Sequence, residues 1–298
     1  MTDLEALREE KIKQSSVAQV DHNEGNDNVL SAERFEVDYI ISRNISDGFK
    51  NCVRRNKTED INILKAREQH KSYLSAINLT TPSLMNLEQD HELPDCVFVE
   101  DTIIIIDHDT AMITRPGAPS RKREPLSIAA GLIGKLNLKV MQEPATMDGG
   151  DVLRIGNNMV VGLSSRTNQL GISFLEEIAN EKGIRIITAE LPHALHLKST
   201  CSLADENNLV YDPKSNLDMN PFESLGVNLI PVPEPEGANV LALGHNNVLV
   251  SAQAPETQEI LKDKGLKVHS VNISEFHKAD GALTCASVRI PKKGAWCT

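Results

Sequence analysis

Residues 93–101 read Leu-Pro-Asp-Cys-Val-Phe-Val-Glu-Asp, so Asp95, Glu100 and Asp101 share a segment otherwise apolar enough for a core. Buried carboxylates are costly unless paired or hydrogen-bonded. Close together, they raise one another's pKa unless a cation lies between them. In a strand-like setting the segment asks for a fixed, desolvated cation. The ordinary alternative is a strand ending in two solvated acids. Asp148-Gly149-Gly150-Asp151 adds two acids around glycines that allow close backbone approach to a ligand, although Asp and Gly also make plain turns. His196 sits between Leu195 and Leu197, ahead of Lys198-Ser199-Thr200-Cys201. With a carboxylate partner it suits a general acid or base; without one it is a satisfied core residue. Cys285 follows Asp280 in an apolar strand, Gly281-Ala282-Leu283-Thr284-Cys285-Ala286-Ser287. An inert core thiol is the default there; a nucleophile needs a thiolate, favoured by an imidazolium or a cationic substrate.

Two arginines occupy equivalent places after polar turns, Arg121 in Thr-Arg-Pro-Gly-Ala-Pro-Ser-Arg and Arg166 in Gly-Leu-Ser-Ser-Arg-Thr-Asn. Both lie near a helix start, where the macrodipole disfavours a cation. An anion held by guanidinium and helix N–H groups would resolve the mismatch, and solvated surface arginine is the alternative.

These residues need elements to hold them, and one pattern recurs: strand, polar turn, strand, helix, strand. It runs through Ile103–Ile106, Ala111–Thr114, a helix over Pro119–Leu136 and Leu138–Gln142. Val152–Ile155, Met159–Gly162, Asn168–Lys182 and Ile184–Thr188 repeat it. So do Cys201–Leu203, Leu209–Tyr211, a weaker helix at Pro221–Leu225 and Val227–Val232. The fourth copy is Val240–Leu243, Val248–Ala252, Pro255–Lys264 and Leu266–Val271. A repeat of roughly 40–50 residues suits a propeller-like array. The fifth unit is split: Asp280–Ile290 gives a terminal strand or hairpin, and Glu36–Ser42 a strand followed by a helix over Asp60–Asn78. In that helix Ile61, Leu64, Ala66, His70, Leu74 and Ile77 fall near one face. Gly183 and Gly265 mark helix stops. Joining the ends closes a ring of five ββαβ units without sheet edges; an open α/β sheet is the alternative. Function is expected at the central loops.

The 298 residues include 42 Asp plus Glu against 31 Lys plus Arg, a net charge of -11, which argues against nucleic acid and anionic membrane as partners. No apolar run is long enough to span a bilayer, and the N-terminus lacks a secretory plan. Five dispersed cysteines without a paired metal motif suit a reducing cytoplasm. Residues 1–33 read as a weakly ordered tail, with a short charged helix over Leu4–Lys13 and a polar, unstructured stretch over Gln14–Ser31; residues 34–298 read as one catalytic domain.

Jointly, LPDCVFVEDT (93–102), TRPGAPSR (114–121), MDGGDVL (147–153), GLSSRTNQ (162–169), LHLKSTCS (195–202) and DGALTCAS (280–287) resemble the dimethylarginine dimethylaminohydrolases of the guanidino-group-modifying superfamily. The resemblance runs from about residue 35 to 293, weakest over 204–240. It implies an α/β, five-bladed pseudo-fivefold ββαβ propeller (a pentein), its fifth blade closed by the N- and C-terminal segments. It further implies hydrolysis of dimethylarginine and monomethylarginine to citrulline, without a cofactor. By motif, Cys285 is the nucleophile, His196 the general acid/base and Asp148 its orienting acid. Glu100 and Asp101 would hold the guanidinium, Asp95 the α-ammonium, and Arg121 and Arg166 the α-carboxylate. Ala279 would offer a backbone carbonyl beside Asp280, and Asn51–Arg55 a lid. Arg54 stands where the family often has an apolar lid residue, and Ala286 where a second cysteine often follows the nucleophile. An inhibitory zinc at Cys285 and His196, and a monomer or homodimer, are further expectations. The rivals are a deiminase of arginine or a related guanidine, and a non-catalytic binder of cationic amino acids.

Overall fold

Two strands and a helix open the chain: β1 (Val37–Arg43), α1 (Ile63–Ile77) and β2 (Leu84–Leu87), with β2 parallel to β1 and Ile40 opposite Leu84. In this computed structural model the described residues are 36–80, 83–191 and 194–296. The expected helix over 4–13, the unstructured stretch over 14–31 and Cys297 lie outside them.

Four complete units follow. The first holds β3 (Ile103–Ile105), β4 (Thr110–Ile113), α2 (Glu124–Leu132) and β5 (Asn137–Val140). The second holds β6 (Val152–Ile155), β7 (Asn158–Leu163), α3 (Gln169–Glu181) and β8 (Arg185–Glu190). The third holds β9 (Cys201–Leu203), β10 (Asn208–Tyr211), the single turn α4 (Asn220–Glu223) and β11 (Asn228–Pro231). The fourth holds β12 (Leu241–Gly244), β13 (Asn247–Ser251), α5 (Pro255–Asp263) and β14 (Lys267–Val271). After a short α6 (Ser274–His277), β15 (Ser287–Pro291) pairs antiparallel to β1, with Ile41 opposite Val288. Both ends of the described chain therefore share one sheet. The result is five three-stranded sheets of one connectivity: first strand antiparallel to second, second parallel to third across a helix.

Local chemistry explains these elements. Parallel neighbours need a crossover, which the helices supply. Middle strands are apolar on both faces, as in Thr110–Ile113, because each lies between a helix and the next sheet. The Asn62 and Asn168 side chains cap α1 and α3, accepting from Lys65 N and Gly171 N. Gly183 and Gly265, at φ +68° and +85°, end α3 and α5 as expected. Five apolar clusters run between successive sheets. One joins Ile104 and Met112 to Val152 and Met159, and the next joins Leu153 and Val160 to Cys201 and Leu209. Another joins Val210 and Ile230 to Val248 and Val250. The last two join Leu249 and Val271 to Ile40, and Ile41 and Val288 to Ile103 and Ile113.

The structure corrects several boundaries. The helix expected over Pro119–Leu136 is a 3-10 turn at Pro119–Arg121 followed by α2. Leu64 is 72% exposed, so the buried face of α1 runs through Ala66, Gln69, His70, Tyr73 and Ile77. Strand β2 and helix α6 were not anticipated; both are four residues long, too short to show a period. Neither the acids of 93–101 nor Cys285 lies in a strand. A one-turn 3-10 helix stands ahead of every first strand instead: Val99–Thr102, Gly149–Asp151, Leu197–Ser199, Pro235–Ala238 and Thr284–Ala286.

Candidate active site

These equivalent turns bring the chemistry together. Glu100 and Asp101 sit on the first, Asp148 caps the second, His196 caps the third, and Cys285 lies inside the fifth. Histidine Nε2 of His196 is hydrogen-bonded to Asp148 Oδ2 at 3.0 Å, and its Nδ1 lies 3.9 Å from Asp101 Oδ1. Burial alone would lower the His196 pKa, but Asp101, Asp148 and Asp151 raise it to about 9. The imidazole is thus an imidazolium near neutrality. Burial would likewise raise Asp101, yet His196, Arg121 and the Gly150 N–H bring it down to about 2.

Glycine makes this packing possible. A Cβ on Gly150 would stand 2.8 Å from His196 Nδ1 and 2.9 Å from Asp101 Oδ1, and one on Gly149 would collide with the Glu100 carbonyl oxygen. The Asp-Gly-Gly-Asp run is therefore a close-approach device as well as a turn.

Glu100, 6% exposed, accepts from Lys198 Nζ at 2.7 Å and from Thr284 Oγ1 at 2.8 Å. The solvated reading of both acids is excluded, since Asp101 is only 2% exposed. Cys285 is partly exposed. Burial raises its thiol pKa above the ordinary range, and the negative charge of Glu100 and Asp101 adds to this, while Lys198 opposes it. A cation placed against those two acids would remove the opposing field and favour the thiolate.

The two arginines do face anions, but anions of the chain itself. Arg121 is buried, with Nη1 donating to Asp101 Oδ2 at 2.6 Å and Nη2 donating to Glu124 Oε2 at 2.8 Å and to the Phe98 carbonyl at 3.2 Å. Its Nε also donates to Glu124. Burial pushes the Glu124 carboxyl up to about 7 despite Arg121. Arg166 Nη1 lies 3.5 Å from Asp148 Oδ2 and its side chain is 15% exposed. Neither is a solvated surface arginine, and the fork of Arg121 is already filled.

The remaining expected residues are Asp95, Asp280, Arg54 and Ala279. Asp95 is buried and accepts the Val53 N–H at 3.0 Å; burial raises its pKa. Asp280, in the left-handed region at φ +56°, accepts the Arg55 N–H and lies 3.7 Å from Arg55 Nε. Arg54 donates to the Glu59 and Lys278 carbonyls. Arg54 and Asp280 line a surface cavity of about 390 Å³. Ala279 is buried, its N–H donating to the Phe276 carbonyl. Oxygen and nitrogen atoms of Asp101, Asp148 and His196 lie within 4.8 Å of one another, a potential three-ligand cation group that does not include Cys285.

The profile of the arginine deiminase family matches residues 53–228. A dimethylarginine dimethylaminohydrolase of Streptomyces coelicolor is 34% identical over 251 residues, covering 84% of this chain and 94% of that protein. The chain belongs to the dimethylarginine dimethylaminohydrolase family. Its Pseudomonas aeruginosa relative is 32% identical over 229 residues, covering 76% of this chain and 88% of that one. The solved structure of a cysteine-to-serine variant of that enzyme, complexed with citrulline, superposes with a TM-score of 0.80 at 29% identity. It covers 86% of this chain and all of the other. The family is one of hydrolases acting on amidino C–N bonds, and its fold is the α/β pentein. No helix among the described residues is long and apolar enough to cross a membrane.

Several residues that complete the site escaped the sequence reading: Lys198, Thr284, Glu124 and Asn239. Lys198 and Thr284 lie inside quoted motifs, but a buried lysine carries no pattern of its own. Glu124, three residues after Arg121 at a helix start, was the readable signal, an i,i+3 acid–base pair. Asp151, noted only as one of two acids around the glycines, accepts from Ser164 Oγ, Thr167 Oγ1 and Leu197 N, fixing the turn behind His196. Burial raises it to about 6.

Proposed function

We propose that this protein hydrolyses Nω,Nω-dimethyl-L-arginine, and Nω-monomethyl-L-arginine, to L-citrulline and the methylated amine. The observation that carries the reading is the convergence of a partly exposed thiol, an imidazolium paired to Asp148, and two buried acids on equivalent turns. Family membership supports it.

In the first step the Cys285 thiolate attacks the guanidinium carbon. The C–N bond to dimethylamine breaks as the His196 imidazolium gives its proton to the departing nitrogen. The product is an S-alkylthiouronium on Cys285. His196, now neutral, takes a proton from water; the hydroxide adds to the same carbon, the C–S bond breaks, and citrulline leaves with the thiol restored. Asp148 keeps the imidazole oriented in both steps. Asp101 and Glu100 hold the guanidinium so that its carbon faces sulfur. Lys198 already offsets one charge of this pair, which lets two acids coexist before substrate arrives.

Asp95 receives the α-ammonium, assisted by the Ala279 carbonyl. Arg166, tied only by its longer 3.5 Å ion pair to Asp148, offers its guanidinium to the α-carboxylate. Arg121 reaches that carboxylate only by exchanging one of its present acid partners, so its contribution is mainly to hold Asp101. Arg54 and Asp280 act at the rim, through the 51–55 lid. We read the five sheets as blades of a closed ring, and the enzyme as a cytoplasmic regulator of methylarginine inhibitors of nitric oxide synthesis, monomeric or homodimeric and without a cofactor. Zinc held at His196 and Cys285 would inhibit.

Citrulline release from dimethylarginine, measured beside arginine and agmatine, tests the reading. Preference for dimethylarginine is expected. Preference for arginine with ammonia release would establish the deiminase instead, and binding without turnover would establish a binder.

A further inference from the structure

We propose that Asn239 is a positioning residue that locks Glu100 and the nucleophile Cys285 into one unit. The turn Pro235–Ala238 entering the fourth sheet carries none of the groups assigned to the chemistry, yet Asn239, its C-cap, is 4% exposed and points into the site's supporting network. Its Nδ2 donates to the Lys198 carbonyl at 2.7 Å and to Thr284 Oγ1 at 3.0 Å, and its Oδ1 accepts the Thr284 N–H at 3.1 Å. The amide has one workable orientation: reversed, it would set oxygen against the Lys198 carbonyl and N–H against the Thr284 N–H.

That orientation has a consequence at Glu100. Because Thr284 Oγ1 accepts from Asn239, its single proton goes to Glu100 Oε2 at 2.8 Å. Lys198 Nζ meets the other oxygen at 2.7 Å. Asn239 thus holds the backbone of one donor and both the backbone and the hydroxyl of the other. Thr284 immediately precedes Cys285. The carboxylate that aligns a guanidinium and the sulfur that attacks it are fixed by the same amide. Removing the amide leaves a buried carbonyl and N–H unpaired and frees the Thr284 hydroxyl to turn. Misplacement by about 1 Å between reacting groups costs on the order of 10²-fold in rate.

The catalytic part of this inference rests on the proposed hydrolysis, and the test separates the two. Asn239→Ala, Thr284→Val, the double variant and Thr284→Ser are assayed for citrulline release from dimethylarginine and, separately, for Cys285 alkylation by iodoacetamide. Each single loss is expected to lower kcat by about 10–100-fold. The double variant is expected within about 3-fold of the worse single, because both act through one path. Thr284→Ser is expected to recover most of the kcat lost in Thr284→Val. Multiplying losses, or an Asn239→Ala variant with full kcat and only a lower Tm, would overturn the proposal. If the unmodified chain releases no citrulline, the hydrolysis reading fails. The positioning claim is then read from alkylation alone: a rate altered at least about 3-fold in Asn239→Ala supports it, and an unchanged rate overturns it. Should Asn239→Ala not fold, Thr284→Val decides by the same two readouts.

Discussion

Thr200-Cys201-Ser202 and Thr284-Cys285-Ala286 are nearly the same tripeptide, each near the start of a unit's first strand, yet Cys201 is buried and Cys285 is partly exposed. In the third unit the 3-10 turn ends at Ser199, so Cys201 is already the first residue of β9. It is fully buried beside Leu197, Leu203, Leu209 and Phe222, and burial pushes its thiol up to about 12. In the fifth unit the turn takes in Thr284–Ala286, so Cys285 sits within it and is partly exposed. Burial raises both thiols. The difference is what stands opposite: apolar side chains at Cys201, but Glu100 and Asp101 at Cys285. Burial, with those acids adding to it, favours the protonated thiol at rest, and the same acids would bring in a cation that opposes this. On the proposed chemistry, moving a cysteine by a few residues along one turn is what separates a core filler from a substrate-gated nucleophile.

The largest effect tests that contrast directly. Cys285→Ser is expected to cut citrulline formation by at least about 10³-fold while dimethylarginine binding, measured by calorimetry, persists. Cys201→Ser should keep kcat within about 2-fold and lose roughly 1–2 kcal/mol of stability for a hydroxyl placed among apolar groups. Equal loss of turnover in both folded variants would break the comparison. Next comes the acid proposed for the first step. His196→Ala should lower kcat by about 10²–10⁴-fold. In the unmodified enzyme, kcat is expected to fall above pH about 9, where the imidazolium is lost. A flat profile through that range would remove His196 as the proton donor. Smaller is Gly150→Ala, whose Cβ would press on His196 Nδ1 and Asp101 Oδ1. It is expected to cost about 1–3 kcal/mol by denaturant unfolding and to depress kcat more than it raises KM.

The strands and long helices were legible because apolar runs and helical spacing report them directly, and Gly183 and Gly265 marked two stops. The turns were not. A one-turn 3-10 helix has no period to detect, and its buried acids look like a strand end because β3 begins at the next residue, Ile103. Cys285 was read into a strand for the same reason, since its apolar neighbours continue into β15. The motif resemblance named residues that the structure brings onto equivalent turns, but it did not name their partners. Arg121 looked open because Asp101, 20 positions away, reaches it only through folding, and the nearby Glu124 was passed over. Asn239 lies 45 positions from Thr284, in the stretch where the resemblance is weakest. Leu64 fitted the helical stripe of α1 and still faces solvent, because the buried face is set by His70, stacked between Tyr73 and Phe276.

The mildest prediction asks whether the site and the Cys201 core differ in how pH affects stability. His196 has its folded pKa raised to about 9 from an ordinary 6.5. A raised base contributes stability that is fully present below its unfolded pKa and fades as pH climbs through the folded one. The thermal midpoint should therefore decline gradually between pH about 6.5 and 9, by a few degrees. His196→Ala should flatten that decline, since the imidazolium and its ties to Asp101 and Asp148 are gone. Cys201→Ser should lower the midpoint by a similar amount at every pH up to about 8, because below the ordinary thiol range Cys201 is protonated in both the folded and the unfolded chain. Calorimetric midpoints of the three proteins from pH about 6 to about 8 would show it. A Cys201→Ser curve that changes slope, or a His196→Ala curve that does not, would mean the charge network around His196 is not what makes this protein's stability depend on pH.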